Sequence, residues 1–209
     1  MKRSTERFGE PDASLGYAIV VIGASWGGLD ALRVLFAGFK PEFDIPIIIV
    51  MHRHRDSDEM LTRILQDLTR LRVLEVEDKQ PIEAGSIYVA PANYHLLVEE
   101  GHFALSTEAP VRYSRPSIDV CMTSAARAHG HRSVGVVLTG SNADGAAGLR
   151  LIADAGGLAV IQDPASAEAP AMPEAAIEAV PTARVFPLDR IAPFLSALPA
   201  QPLRLRKRA

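Results

Sequence analysis

A serine flanked by glycines, at the end of the first apolar run, is the earliest group in the chain that could do chemistry. Residues 17–22 are followed by Gly23-Ala24-Ser25-Trp26-Gly27, which matches the Gly-x-Ser-x-Gly nucleophile elbow. In that motif the serine lies on a sharp strand-to-helix turn, and the free amides of the following helix can stabilise an oxyanion. A serine that only caps a helix after a glycine turn gives the same five residues, so the motif alone leaves both interpretations open.

The same glycines raise a nucleotide-binding alternative. A dinucleotide site needs Gly-x-Gly-x-x-Gly at this turn and an acidic residue at the end of the second strand. Ser25 occupies the position of the middle glycine, and the second apolar run ends in Val50-Met51-His52. Both specific features are missing, which makes nucleotide binding the weaker interpretation.

A nucleophilic serine needs a base and a group that orients the base. His52 follows the second predicted strand, on the same sheet edge as Ser25, and His54 is the fallback two residues later. Asp144 follows a third predicted strand, where it could orient an imidazole or simply cap the helix that begins at Gly145. We predict Ser25 as the nucleophile, His52 as the base and Asp144 as the partner of the base.

The elements that would position these residues alternate as in an α/β fold. Apolar runs at 17–22, 45–51, 72–76, 134–139, 158–162 and 184–186 predict strands, and helical patterns lie between or after them at 28–39, 57–68, 117–130, 145–155, 173–179 and 189–198. Such alternation predicts parallel strands joined by crossover helices. Short runs at 86–90, 95–98 and 103–106 predict an antiparallel insert. The predicted fold is a three-layer, doubly wound α/β domain with a mainly parallel sheet and an antiparallel β-hairpin insert.

Length and composition fit one such domain. The chain has 209 residues, 48% apolar and 22% charged, which is enough for a full core, and its net charge of −3 argues against nucleic-acid binding. The single Cys121 excludes an intramolecular disulfide framework and a cysteine-cluster zinc site, and it fits a cytoplasmic location. The longest apolar run, at 45–51, is far shorter than the ~20 residues of a membrane span, so no membrane insertion is expected.

We predict a disordered leader at 1–16, the domain at 17–198 and a flexible basic tail at 199–209.

Several separated motifs carry a family resemblance. In chain order they are Gly23-x-Ser25-x-Gly27-Gly28, Val50-x-His52, Tyr88-Val-Ala-Pro-Ala-Asn-Tyr-His95, Arg115-Pro-Ser-Ile-Asp119, Leu138-Thr-Gly-x-x-x-Asp-Gly-Ala-Ala-Gly148, Gln162-Asp-Pro-Ala-Ser166 and Met172-Pro-x-Ala-Ala176. Together they resemble the catalytic domain of CheB, the bacterial chemotaxis protein-glutamate methylesterase. The resemblance covers residues 17–198.

The resemblance implies a serine hydrolase in which Ser25 attacks, His52 is the general base and Asp144 orients it. The implied substrate is a glutamate γ-methyl ester on the cytoplasmic helices of a methyl-accepting chemoreceptor, with methanol released through an acyl-enzyme. Deamidation of receptor glutamines would follow the same route. A cytoplasmic enzyme that needs no metal and no organic cofactor is implied. The matching segments also suggest oxyanion or substrate-groove residues: Trp26, Gly27, His95, Arg115, Ser141 and Met172.

The chain departs from the family pattern around the candidate triad. Trp26 replaces a frequent threonine, His52-Arg53-His54 replaces His-Met-Pro, and Thr139-Gly140-Ser141-Asn142 replaces Thr-Gly-Met-Gly. The three candidate catalytic residues are intact, so the chemistry is better supported than the substrate. An esterase or amidase of the same mechanism with a non-receptor substrate is one alternative, and a non-catalytic interaction module is another.

Regulation is the other departure from the family pattern. Family enzymes usually carry an N-terminal receiver domain, and the 16 residues before Tyr17 are too few to form one. We therefore expect an unregulated enzyme, control by a separate regulatory protein, or a shortened chain.

Overall fold

The structure is a computed structural model that describes residues 16–53 and 60–201. Its strands are β1 (Ile19–Ala24), β2 (Ile47–Met51), β3 (Arg72–Glu75), β4 (Ser86–Val89), β5 (His95–Val98), β6 (Phe103–Ser106), β7 (Ser133–Val137), β8 (Leu158–Gln162) and β9 (Arg184–Phe186). Its α-helices are α1 (Gly28–Ala37), α2 (Met60–Gln66), α3 (Ile118–His129), α4 (Ala146–Asp154), α5 (Ala171–Ala179) and α6 (Leu188–Leu195). Most of these elements agree with the predicted runs to within a few residues.

Seven strands form one parallel sheet in the order β3-β4-β2-β1-β7-β8-β9. Strand β1 lies in the middle, with Gly23 paired to Val50 of β2 on one side and to Val137 of β7 on the other. Parallel neighbours end at the same edge of a sheet, so the loops that follow β1, β2 and β7 meet there. Those three loops carry Ser25, His52 and Asp144.

Helices cover both faces of the sheet, as predicted. Alternate residues of β1 point to opposite faces, so Val20 and Ile22 join a core with α1, α2 and α6, whereas Ile19 and Val21 join a core with α3, α4 and α5. Because both faces are covered, all six residues of β1 are buried, and the strand is a continuous apolar run without polar alternation. The predicted three-layer, doubly wound architecture is confirmed.

The extent of the predicted antiparallel insert was wrong. Strands β5 and β6 do form an antiparallel hairpin, which packs against α3, but β4 does not belong to it. Strand β4 lies between β2 and β3 in the main sheet, parallel to both. All four of its residues are buried, and a short apolar run of this kind carries no local signal that identifies its partner strands.

The predicted leader and basic tail lie almost entirely outside the described residues. At the domain ends, the amide of Tyr17 donates to the carbonyl of Pro199 and the amide of Gln201 donates to the carbonyl of Tyr17. None of the described helices has the length and apolar character required to cross a bilayer.

Candidate active site

Ser25 lies on a tight turn between β1 and α1. Its amide donates to the carbonyl of Thr139, 3.0 Å away, which ties the turn to the end of β7. Gly27 has a φ of +73°, a left-handed conformation that favours glycine, and it begins α1 without a side-chain cap. Among the described residues, the amides of Trp26 and Gly27 have no hydrogen-bond acceptor. The start of α1 therefore offers N–H groups beside the serine at the place where an oxyanion hole is predicted.

His52 follows β2 and bridges the other two residues of the predicted triad. Its amide donates to the carbonyl of Ala24, which fixes the backbone next to the serine turn. The Nδ1 atom of its ring lies 3.1 Å from Oγ of Ser25, and Nε2 lies 2.7 Å from Oδ2 of Asp144. Compared with the usual Ser-His-Asp template, the two ring nitrogens have exchanged partners. His54, the alternative base, lies outside the described residues.

Asp144 is fully buried in the loop between β7 and α4. Besides His52, its carboxylate accepts hydrogen bonds from the hydroxyl of Ser117 (2.9 Å) and the amides of Ile118 (2.8 Å) and Asp119 (3.0 Å). The last two amides belong to the first turn of α3, so Asp144 caps α3 and does not cap α4, which follows it in sequence. Four donors fix the carboxylate against the ring of His52.

The charge of Asp144 is stabilised by the same contacts. Burial alone would raise the pKa of Asp144, but hydrogen bonds from His52 and from the first amides of α3 outweigh it and hold the pKa below its ordinary value. For the neighbouring Asp119, burial raises the pKa, and the charge of Asp144 raises it further, against hydrogen bonds from the first amides of α4. Of the two carboxyls, Asp144 has the lower pKa, which suits a carboxylate that orients the base.

The chain matches a known protein family. The model of the family described as CheB methylesterase matches residues 20–195, which include all three strand-end loops. The chain belongs to the CheB methylesterase family.

Individual relatives support the assignment. A Leptospira interrogans protein with the provisional name protein-glutamate methylesterase/protein-glutamine glutaminase is 44% identical over 179 residues, which are 85% of this chain and 93% of that protein. An Anaeromyxobacter dehalogenans protein named protein-glutamate methylesterase/protein-glutamine glutaminase 2 is 43% identical over 83% of this chain, but the match covers only 51% of that protein. The crystal structure of the Thermotoga maritima CheB methylesterase catalytic domain superposes with a TM-score of 0.82 at 29% identity, over 87% of this chain and 98% of that domain.

In this CheB-family chain, a cavity of about 620 Å³ opens beside His52. Arg115 lines it, but its guanidinium donates to the carbonyls of Thr107 and Glu108 and to Oδ1 of Asn93, so those contacts brace the surrounding loops. Tyr113 also lines the cavity and is fully exposed. The location of Arg115 agrees with a groove residue, while its binding to substrate stays a prediction.

The other predicted groove residues divide into surface and core positions. Trp26 is 66% exposed, Gly27 is part of the serine turn, and Ser141 is exposed in the loop that precedes Asp144. Met172, in contrast, is fully buried. Its amide donates to the carbonyl of Gly140, so it stabilises the loop from the protein interior.

His95 is also buried and does not reach the triad directly. Its Nε2 atom lies 3.1 Å from the carbonyl oxygen of Ala109, and its Nδ1 accepts from the amide of Ser117. Ser117 in turn donates to Asp144. His95 therefore connects the hairpin to the residue that holds Asp144.

Two residues near the triad were missing from the predicted site: Asp119, which ends one of the quoted motifs, and Asn142, which was named only as a departure from the family pattern. Asn142 contacts both the ring of His52 and the backbone of Asp144, with Nδ2 3.5 Å from Nδ1 of His52 and Oδ1 accepting from the amide of Asp144. Asp119 accepts from the amides of Gly145 (2.9 Å) and Gly148 (2.7 Å) at the start of α4. The signal for both was an Asx-type or acidic residue next to a helix start, which indicates a cap but not which helix it caps.

Proposed function

We propose that the protein is a serine hydrolase that removes methyl groups from glutamate γ-methyl esters of chemoreceptors. The hydrogen-bonded series Ser25, His52 and Asp144 at one sheet edge is the observation that carries the proposal. Nothing in the packing of an α/β sheet requires a serine, a histidine and a buried charged aspartate to meet there. The names of the relatives supply the substrate class, and residues 17–198 are proposed as the catalytic domain.

The geometry supports a two-step acyl transfer. Nδ1 of His52 takes the hydroxyl proton as Oγ of Ser25 attacks the ester carbonyl, and the amides of Trp26 and Gly27, which have no acceptor in the described part of the chain, would stabilise the resulting oxyanion. The same Nδ1–H then protonates the leaving oxygen, and methanol departs. Water, deprotonated by His52, hydrolyses the acyl-enzyme and restores Ser25. With a glutamine substrate, ammonia would leave instead.

The proposed setting is the cytoplasm, where the enzyme would act on receptor helices and a separate regulatory protein could control it. No step of this mechanism requires a metal or an organic cofactor. The exposed indole of Trp26 beside the nucleophile favours one alternative, a hydrolase of this mechanism whose ester or amide is not on a chemoreceptor.

The test is methanol release from methylated chemoreceptor membranes by the purified protein. We expect release that is abolished by Ser25→Ala and His52→Ala, with a loss of about 10⁴-fold or more. Folding of each variant is checked by circular dichroism. A folded wild-type protein that releases no methanol but labels with a fluorophosphonate at Ser25 would reject the receptor substrate and keep the hydrolase. A folded protein that does neither would reject the hydrolase and favour the interaction module.

A further inference from the structure

Asn142 presents a hydrogen-bond donor to the ring nitrogen that faces the nucleophile. Its Nδ2 lies 3.5 Å from Nδ1 of His52, at the outer limit of a hydrogen bond, and Oγ of Ser25 lies 3.1 Å from the same nitrogen. Nε2, on the opposite side of the ring, faces the carboxylate of Asp144. Nδ1 therefore faces a hydroxyl, which can donate or accept, and an amide donor, while Nε2 faces an acceptor.

The orientation of the Asn142 amide is fixed by its second contact. Its Oδ1 accepts from the backbone amide of Asp144 at 3.0 Å, and a carbonyl oxygen is the only atom of the amide that can do so. Reversing the amide would set N–H against N–H, so Nδ2 must be the atom that faces His52. The donor at Nδ1 is thus imposed by the fold of the loop.

This arrangement distinguishes the protonation states of His52. In the neutral ring with its proton on Nε2, Nδ1 carries a lone pair that accepts from Ser25 and attracts the N–H of Asn142. In the protonated ring, Nδ1–H can donate to Oγ of Ser25, but the N–H of Asn142 then faces a positively charged N–H instead of an acceptor, which is unfavourable. We propose that Asn142 is a positioning residue that keeps Nδ1 of His52 an acceptor and destabilises the protonated ring.

The consequence for catalysis rests on the proposed function. During acylation Nδ1 gains the proton of Ser25 as the Oγ–carbon bond forms, and it must give that proton to the leaving oxygen as the carbon–oxygen bond of the ester breaks. A ring that is held less stable when protonated passes the proton on more readily than the same ring would in a variant without the Asn142 donor. With Asn142 in place, the enzyme should therefore stay active at a lower pH than it would without this side chain.

The charged groups around the ring do not change when Asn142 is substituted, so differences between variants report on Asn142. These groups are Asp144, which contacts Nε2, Asp119 beside it, Arg53 in its pair with Glu75, Arg115 at the cavity, and Glu168, which packs against Gly27.

Two variants keep the loop and change only the group that faces His52. In Asn142→Asp, one carboxylate oxygen still accepts from the amide of Asp144 while the other replaces the donor at Nδ1 with a negative charge. In Asn142→Ser, the hydroxyl can accept from that amide but is too short to reach the ring. Ala147→Asp, at an exposed position in the first turn of α4, is the control for added charge.

The experiment is an NMR pH titration of the full chain labelled with ¹⁵N-histidine, with His52 assigned from His52→Gln. We expect the neutral wild-type ring to show an unprotonated Nδ1 and a protonated Nε2. The midpoint of ring protonation should move up by about one to three pH units in Asn142→Asp and by roughly half a pH unit in Asn142→Ser. Ala147→Asp should match the wild type. A neutral ring with its proton on Nδ1, or an Asn142→Asp midpoint equal to that of the wild type, would overturn the proposal.

The pH dependence of fluorophosphonate labelling at Ser25 supplies the catalytic readout. The acid limb of the labelling rate should shift by the same amounts and in the same order as the NMR midpoints. If the wild-type protein does not label at all, the proposed hydrolase fails, but the NMR midpoints still decide the role of Asn142. Midpoints that shift while the acid limb of labelling stays fixed would contradict an effect of Asn142 on catalysis.

Discussion

At the scale of one residue, Asp144 serves both the predicted chemistry and the fold. It is fully buried, and it accepts from His52, from Ser117 and from two amides of α3. In Asp144→Asn the amide nitrogen that replaces one oxygen must face a donor, because both oxygens are already occupied by donors. We expect a loss of hydrolysis of about 10⁴-fold, and a decrease in the free energy of unfolding of about 1–3 kcal/mol, measured by urea denaturation.

Asp154 offers a matched control for that substitution. It is exposed at the end of α4, in an ion pair with Arg150, so Asp154→Asn should cost less than about 1 kcal/mol and leave the rate unchanged. An Asp144→Asn variant with the stability and activity of Asp154→Asn would show that the buried carboxylate is not required.

The sequence could predict the three triad candidates because each follows an apolar run, and parallel strands place such positions at one edge. It could not predict what holds them. Asp144 precedes α4, and local reasoning suggested a cap of that helix, whereas the carboxylate in fact accepts from α3, about 25 residues earlier in the chain. The contact depends on how α3 and α4 pack against each other. No local sequence pattern within either helix predicts that packing.

At the scale of elements, α3 and α4 cap each other at their N-termini. Asp144, just before α4, accepts from the first amides of α3, and Asp119, in the first turn of α3, accepts from Gly145 and Gly148 at the start of α4. Each carboxylate satisfies backbone donors that would otherwise be buried without partners. The exchange explains why the two helix starts lie close enough to hold Asp144 against His52.

This exchange predicts that Asp119 affects activity without touching the substrate. Asp119→Ala leaves two buried amides unsatisfied, so we expect a decrease in the free energy of unfolding of about 1–3 kcal/mol. It also removes a support of α4, which should lower kcat for hydrolysis more than it raises KM. Asp189→Ala, an exposed acidic residue in the first turn of α6, should change stability by a few tenths of a kcal/mol and leave kcat intact. Equal effects of the two variants would contradict reciprocal capping.

The strand β4 shows the same limit of local sequence patterns. Its apolar residues predict a strand, but their position just before the hairpin favours the wrong partner strands. Its partners in the sheet, β2 and β3, are selected by burial on both faces and by the crossovers around it. Element types were thus readable from apolar periodicity, while one strand pairing was not.

At the scale of the whole molecule, the end of α3 opposite the triad carries an acid-sensitive group. His129 is buried, and neither ring nitrogen has a hydrogen-bond partner among the described residues. Burial, with a smaller contribution from Arg132, lowers the pKa of His129 to about 4. In the unfolded chain a histidine titrates near ~6.5. Between these values the unfolded chain binds more protons than the folded protein, so stability must fall as the pH falls.

The linkage gives a prediction with a defined pH window. The free energy of unfolding should decrease between about pH 6.5 and pH 4, by up to about 2 kcal/mol at pH 5 relative to pH 8. His129→Leu should remove most of that decrease, because the side chain has no hydrogen bonds to lose, while His131→Leu, at an exposed position, should not. Urea denaturation at pH 8 and pH 5 measures both.

The lowered pKa of Asp144 acts in a different pH window. Its contribution to the free energy of unfolding is lost only below the ordinary carboxyl range near ~4.

His129 should affect the stability of the protein at acidic pH without affecting its catalytic activity. The 12 residues of α3 place His129 about 17 Å from the helix start that supports Asp144. His129→Leu should therefore leave kcat per folded molecule unchanged at pH 7, while protecting the protein at pH 5. If the variant lost activity at pH 7 with its stability intact, the two ends of α3 would have to be coupled. An unchanged pH 8 to pH 5 difference in stability would show that His129 is not the group that responds to acid.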